Sequence, residues 1–191
     1  IRYRPEVDGM RAVAVLSVML YHLQLPLGQS VALPGGFLGV DVFFVLSGFL
    51  ITSIIAGEID KTGRLDILQF YLRRIRRIIP PLLLVILASV PVAWAVLLPS
   101  EMARFGQSLW AALGFYSNFF WYLTLGEYCI QTGLLQPFLH TWSLAIEEQF
   151  YLAYPLLLLA AMRWCRRWLV PLALLGIVGS LAVAQATTWM W

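Results

Sequence analysis

The chain alternates long apolar runs with short polar or basic stretches. Runs long enough to cross a bilayer lie at about 10–27, 37–56, 78–98, 105–125, 143–162 and 168–191. A spanning α-helix needs about 20 largely apolar residues. The pattern predicts an all-α, polytopic transmembrane helix bundle with about five to six membrane segments.

The fourth run, 105–125, is the most polar of the six. If it spans fully, the basic segment RWCRR after the fifth run falls outside, on the side opposite the basic loop before the third run, against the bias of arginine toward the cytoplasm. We therefore expect this run to be re-entrant or interfacial. Its polar and small residues are Gly106, Gln107, Ser108, Gly114, Ser117 and Asn118.

Arginines give the predicted orientation. They cluster before the first run and in the segment 57–77, so the positive-inside rule places both in the cytoplasm. The turn with Gly35 and Gly36 is then external. Pro80 and Pro81 are predicted in the first turn of the third helix, a position that suits proline.

Composition sets the class. The chain is 61% hydrophobic and 12% charged, and its mean hydropathy is +0.80, which excludes an ordinary soluble domain. The net charge of +3 comes from clustered arginines, which indicates topology and anionic ligands rather than nucleic acid. Cys129 and Cys165 are too few for a disulfide framework or a zinc site, and no metal site is predicted.

Arg11 and His22 share the first predicted helix. Eleven steps of ~100° bring them within ~20° of one face, ~16 Å apart along the axis. Ionisable groups inside a membrane usually face a bundle interior or a water path. The alternative is that Arg11 anchors the helix end and His22 is a satisfied interior histidine.

The second run carries Asp41 near its external end, where a carboxylate needs a partner or water. Gly36, Gly39 and Gly48 suit close helix approach. Ser47 is a weak candidate nucleophile; a serine in such a helix more often bonds its own backbone.

Four arginines, Arg73, Arg74, Arg76 and Arg77, precede the third run. On a helix they form two i,i+3 pairs. They serve either as a topology signal that contacts anionic lipid or as forks for a phosphorylated ligand, and sequence physics leaves both open.

The stretch LHTWSLAIEEQFYLAYP places His140 and Trp142 before a helix, with Ser143 as its N-cap. Adjacent helical residues diverge by ~100°, so Glu147 and Glu148 do not form a carboxylate dyad. One is expected to face the bundle interior and the other a second helix or the interface.

These motifs together resemble the acyltransferase-3 family of integral membrane acyltransferases, especially bacterial O-antigen and cell-wall O-acetylases with a C-terminal SGNH-type domain. The resemblance rests on four segments in this order: DGMRAVAVLSVMLYH, GGFLGVDVFFVLSGFLIT, FYLRRIRRIIPP and LHTWSLAIEEQFYLAYP. It implies that residues 1–191 are the N-terminal part of a larger membrane domain of about ten helices, in which activity of this part alone is in doubt.

The resemblance implies transfer of an acyl group, mostly acetyl, from cytoplasmic acetyl-CoA or another acyl-CoA to an extracytoplasmic carbohydrate such as lipopolysaccharide O-antigen. The protein would lie in the bacterial inner membrane, in contact with lipid and without a permanently bound cofactor. By motif, Arg11 and His22 are the arginine-x10-histidine pair and Glu147 and Glu148 the EEQFY glutamates. The RxxR region linked to the acyl-CoA donor is Arg73, Arg74, Arg76 and Arg77.

Acyl transfer to a hydroxyl needs a base or a nucleophile, and a histidine can supply either. We expect His22 to do so, with Asp41 orienting its imidazole. Arg11 is too far along the helix to touch His22, so it is expected to bind donor phosphate or a carboxylate of a neighbouring helix. Candidates for the acceptor side are Gly35, Gly36, His140 and Trp142.

Two other functions remain open. Intramembrane His, Asp and Glu would also serve a proton-coupled carrier, although the chain shows no repeated halves. The second alternative is an inactive fragment that only inserts into the membrane.

Overall fold

A computed structural model describes residues 4–24, 26–27, 30–31, 33–125, 137–164 and 166–189. Cys129 and Cys165 lie outside these ranges. The described residues form seven α-helices: α1 Pro5–Leu23, α2 Gly39–Thr62, α3 Ile67–Val96, α4 Pro99–Leu113, α5 Ser117–Leu125, α6 Thr141–Trp164 and α7 Leu169–Trp189. Shorter elements are 3-10 turns at Gly36–Leu38 and Arg166–Trp168, and an antiparallel pair of two-residue strands, β1 Pro26–Leu27 and β2 Ser30–Val31.

The predicted all-α membrane fold is confirmed. Four helices in the described part are long and apolar enough to span a bilayer: Gly36–Thr62, Ile67–Val96, Thr141–Trp164 and Leu169–Ala186. The first helix, α1, is not among them, since Glu6, Asp8 and Arg11 lie in its N-terminal half. The chain is a multi-pass membrane protein.

The predicted fourth segment is broken in two. The helix α4 has 15 residues and α5 has nine, and both are shorter than a membrane crossing requires. Phe115, in the turn between them, has a φ of 52°, which a helix cannot contain. Gln149 of α6 holds this region by donating to Phe115 O at 2.8 Å and pairing its amide with that of Asn118.

The two prolines do not begin α3. This helix starts at Ile67, because Asp66 Oδ1 accepts from the Gln69 N–H at 2.9 Å and caps it. Pro80 and Pro81 therefore lie in the helix interior, where each removes one backbone hydrogen bond. The arginine segment consequently belongs to the same continuous helix as the apolar run.

Ser143 is not the N-cap of α6 either. The helix begins at Thr141, and the Ser143 hydroxyl donates to His140 O at 3.1 Å. Trp142 therefore lies within the first turn of α6 rather than before it.

Close packing joins α1 to the start of α2. A Cβ on Gly36 would lie 2.3 Å from Ser17 O, and one on Gly39 would lie 2.3 Å from Ala14 O. No larger residue fits there without moving the backbone. Gly48 differs, since a Cβ there would meet only the Phe150 ring, at 4.0 Å.

The chain divides into two compact units, residues 1–152 and 153–191. In the first unit, Leu82, Ile86 and Ala93 of α3 form a buried core with Phe105 and Phe138. In the second, residues 170–186 of α7 are exposed. The candidate site lies wholly within the first unit.

Candidate active site

A buried carboxylate, Glu147 of α6, is the centre of the polar network in the first unit. It is 9% exposed. Its Oε1 accepts a hydrogen bond from the Ser47 hydroxyl of α2 at 2.6 Å and another from the Tyr151 hydroxyl. Arg11 of α1 lies 3.9 Å from the same oxygen. Three helices therefore meet at one carboxylate oxygen.

Arg11 is held from two sides. Its guanidinium carbon lies 4.6 Å from the centre of the Phe43 ring of α2. The same guanidinium group pairs with the Glu147 carboxylate of α6. Buried charges are tolerated when they are paired. The structure thus gives Arg11 a carboxylate of a neighbouring helix, one of the two partners expected from sequence.

The four arginines of α3 divide between an inner and an outer face. Arg74 lies over the Tyr151 ring at 4.4 Å, and Arg77 lines two cavities with Arg11. Arg73 instead pairs with Glu58 at 3.6 Å and donates to Gln69 at 2.7 Å, and its side chain is 50% exposed. Arg76 is exposed.

Two cavities meet at Glu147. The first, of about 220 Å³, is the arginine cavity, and its charged lining residues are Arg11, Arg74, Arg77 and Glu147. The second, of about 300 Å³, is the apolar cavity, lined by residues such as Val18, Met19 and Phe44, with His140 in its wall. Phe43, Leu144 and Glu147 belong to both linings. The site therefore has an end suited to anions and an end suited to an apolar group.

The two histidines of the chain lie in one neighbourhood. His140 is exposed overall, yet its imidazole borders the apolar cavity. Desolvation, and second the nearby His22, lower the pKa of His140 below its usual 6.5. His22 and His140 are more than a hundred positions apart in the sequence, and the fold brings them to the same end of the site.

His22 and Asp41 are not in contact. His22 is exposed at the end of α1, and its ring lies against the adjacent Tyr21 at 5.3 Å. Asp41 is also exposed. Within the described ranges neither makes a side-chain hydrogen bond, so the predicted orientation of the imidazole by Asp41 has no support in this geometry.

The remaining predicted residues are scattered around the site. Gly36 fills a packing role against α1, whereas Gly35 faces open space. Trp142 contacts Phe44 edge-on at 6.5 Å. Glu148 diverges from Glu147 as expected, and its Oε1 is buried without a hydrogen-bond partner among the described residues.

Sequence reasoning missed Tyr151 and Phe43 and undervalued Ser47. Ser47 was expected to bond its own backbone, but its hydroxyl reaches Glu147 on another helix. A signal existed for Tyr151, since it follows Glu147 by four residues and i,i+4 side chains share a helix face. Phe43 carries no such signal, because it is one aromatic in an apolar run.

Over the described residues, no group of three or more His, Cys, Asp or Glu side chains is arranged to hold a metal ion. The polar side chains of the described site are arginines, carboxylates, hydroxyls and imidazoles. This combination can bind an anion at one end and exchange a proton at the other.

Comparison with known proteins agrees with this arrangement. A family model described as an acyltransferase domain (Acyl_transf_3) matches residues 4–190. The chain is 40% identical over 190 residues to the peptidoglycan O-acetyltransferase OatA of Listeria monocytogenes, covering 99% of this chain and 29% of that protein. It is 40% identical over 157 residues to the O-acetyltransferase OatA of Staphylococcus aureus strain NCTC 8325, covering 82% and 25%. The chain thus spans about a quarter of the length of these relatives, and no solved structure matches it.

Proposed function

This chain belongs to the acyltransferase-3 family, and from that premise we propose that it forms part of a membrane O-acetyltransferase that carries an acetyl group from acetyl-CoA to a cell-envelope carbohydrate. The observation that carries the proposal is the junction of two unlike cavities at Glu147. One is lined by three guanidinium groups and the other is apolar with a histidine in its wall.

The arginine cavity is the proposed donor entrance. Guanidinium groups form charge-assisted, bidentate hydrogen bonds to phosphate oxygens, and Arg11, Arg74 and Arg77 converge on this cavity. We place the N-terminus and the arginine segment in the cytoplasm, where acetyl-CoA is found, because arginine is strongly enriched in cytoplasmic segments.

The apolar cavity is the proposed passage for the acyl group. Its lining has little charge to compete for a thioester, and it leads from Glu147 toward His140, near which His22 lies. In a direct transfer, an imidazole takes the proton of the acceptor hydroxyl, and the oxygen attacks the thioester carbonyl. The ester C–O bond forms, the C–S bond breaks, and the CoA thiolate leaves and takes up a proton.

The acceptor is a carbohydrate hydroxyl on the external side. The Listeria relative is named a peptidoglycan O-acetyltransferase, which makes peptidoglycan the first acceptor to test and lipopolysaccharide the second. We assign Gly35, His140 and Trp142 to this side as candidate contacts for the acceptor. An SGNH-type domain elsewhere in the full natural protein would be a partner in the last step.

Transfer from labelled acetyl-CoA, measured with the full natural chain in membranes or detergent, tests the proposal. The wild-type protein should label an added glycan, and His22→Gln should reduce the rate by about 10²–10⁴-fold, the usual contribution of a general base. Gln keeps much of the volume and hydrogen bonding of His without its proton transfer. Wild-type protein that moves no label refutes the proposal; a near wild-type rate for His22→Gln leaves the enzyme but removes His22 from its mechanism.

A proton-coupled carrier is the second candidate, favoured by one observation. Glu148 keeps a buried carboxylate oxygen without a hydrogen bond in the described part of the chain, and such a group in a membrane helix can carry protons. Substrate uptake driven by a pH gradient, without acyl transfer, would support the carrier.

A further inference from the structure

Tyr151 touches both halves of the site at once. It is 3% exposed and lies one helical turn after Glu147 on α6, so both side chains face the interior. Its hydroxyl donates to Glu147 Oε1, and its ring lies under the guanidinium of Arg74 at 4.4 Å.

The hydroxyl end of Tyr151 acts on the carboxylate. Glu147 Oε1 accepts from Tyr151 on its own helix and from Ser47 on α2. Hydrogen bonds to an ionised acceptor are roughly twice as strong as neutral ones. Two donors from different helices fix the carboxylate at the junction of the cavities, where it also faces Arg11 at 3.9 Å.

The ring end of Tyr151 acts on the cation. Arg74 lies over this ring, and the Phe70 ring lies 5.7 Å from the same guanidinium carbon. A cation over an aromatic face is attracted by the ring quadrupole. Because this contact engages no acceptor atom, the N–H groups of Arg74 stay available for phosphate oxygens.

We propose that Tyr151 is a positioning residue for acyl transfer: its hydroxyl fixes Glu147 and its ring fixes Arg74 for the donor. The inference rests on the proposed function. It assigns two separable roles to one side chain: the hydroxyl orients the Glu147 carboxylate, and the ring supports donor binding through Arg74.

Two substitutions in the full natural chain separate these parts. Tyr151→Phe removes only the hydroxyl, so kcat should fall about tenfold, the scale of one hydrogen bond to a charged group, while KM for acetyl-CoA stays unchanged. Tyr151→Leu also removes the ring, so in this variant KM for acetyl-CoA should rise about tenfold, the scale of a desolvated cation–π contact. KM for the acceptor should not change in either variant.

Ser47→Ala is the matched control, because it removes the other hydroxyl on Glu147 and leaves the Arg74 contact intact. It should resemble Tyr151→Phe. A double-mutant cycle tests the ring directly: in an Arg74→Gln background, Phe and Leu at position 151 should give the same KM for acetyl-CoA, since the coupling is lost. If Tyr151→Leu does not fold, Tyr151→Met supplies an aliphatic residue of longer reach.

Equal KM for acetyl-CoA in the Phe and Leu (or Met) variants overturns the inference, as does a rise in the acceptor KM of the same size. A structural role alone would lower the amount of folded protein without separating the two KM values. Failure of the proposed function is a different result, because the wild-type protein itself would then neither bind nor use acetyl-CoA.

Discussion

Two arginine–glutamate pairs of the first unit lie in different surroundings, one on the outer face of α3 and one between α1 and α6. Arg73, on the outer face, pairs with Glu58 at 3.6 Å, and these side chains are 50% and 24% exposed. Arg11 pairs with Glu147 across the inner site at 3.9 Å, and its side chain and that of Glu147 are 12% and 10% exposed. The longer ion pair is the buried one, so surroundings rather than distance determine what each pair contributes.

The physical reason is desolvation. An exposed pair gives up little hydration and gains little, whereas removing one partner of a buried pair leaves a charge with neither water nor a counter-ion. The comparison teaches that the buried Arg11–Glu147 pair depends on both of its partners, whereas the exposed Arg73–Glu58 pair does not.

The largest expected effect comes from breaking the buried pair. Arg11→Ala should lower the free energy of unfolding by about 3–5 kcal/mol, because Glu147 stays buried without its cation. Arg73→Ala, which breaks the exposed pair, should cost no more than about 1 kcal/mol. Denaturant unfolding of both variants in the same detergent measures the difference, and equal costs would break the comparison.

A second contrast concerns two glycines, one without and one with space for a side chain. Gly36→Ala should destabilise the protein by about 1–3 kcal/mol through overpacking, since its Cβ would lie 2.3 Å from the backbone oxygen of Ser17. Gly48→Ala is the matched control, because its Cβ has 4.0 Å to the nearest side chain and alanine is the better helix former. Unfolding midpoints that fall equally would contradict the tight contact between α1 and the turn at Gly36.

Much of this arrangement can be predicted from the sequence. What cannot be predicted is the rotation of each helix about its own axis, which decides the face that points inward. Apolar run lengths predict the long helices, and spacing predicts that Arg74 and Arg77 share a face. Spacing cannot say which face is inward, because α3 beyond the arginines is apolar on every side. Ser47 shows the same limit, since its choice between its own backbone and Glu147 depends on how α2 and α6 meet.

The helix boundaries failed for a local reason. Hydropathy starts the third helix after the arginines, but an N-cap depends on one side chain, Asp66, whose carboxylate begins the helix eleven residues before Ile78. The prediction of Pro80 and Pro81 in a first turn was wrong for this reason. The polarity of the run 105–125 indicated that it does not span as one helix, but the sequence did not reveal the backbone turn at Phe115 that divides it.

A third prediction sharpens the comparison within α3 itself. Changing Arg74 and Arg77 to Lys keeps the charge but loses the planar fork, so the Kd for acetyl-CoA should rise about tenfold, or about 1.4 kcal/mol. Changing Arg73 and Arg76 to Lys alters the same number of side chains on the outer face and should leave that Kd nearly unchanged. Isothermal titration with acetyl-CoA compares the two; equal losses would mean that the cluster acts only through its total charge.

The smallest expected effect concerns the two histidines, where one group lies in the cavity wall and the other at the exposed end of α1. Desolvation is the larger cause that lowers the pKa of His140 and the charge of His22 the smaller. His22→Gln should therefore raise the pKa of His140 but still leave it below 6.5, because the larger cause, desolvation, remains; histidine-labelled NMR in detergent can follow this pKa. Tyr21→Phe, a neutral change beside His22, should not change the pKa of His140.

The depressed pKa of His140 also makes stability depend on pH. As the pH falls through about 6.5, the unfolded chain binds more protons at this residue than the folded chain, so the stability that the neutral imidazole contributes is lost below that pH. An unchanged pKa in His22→Gln would show that the two imidazoles, though close in the fold, titrate independently.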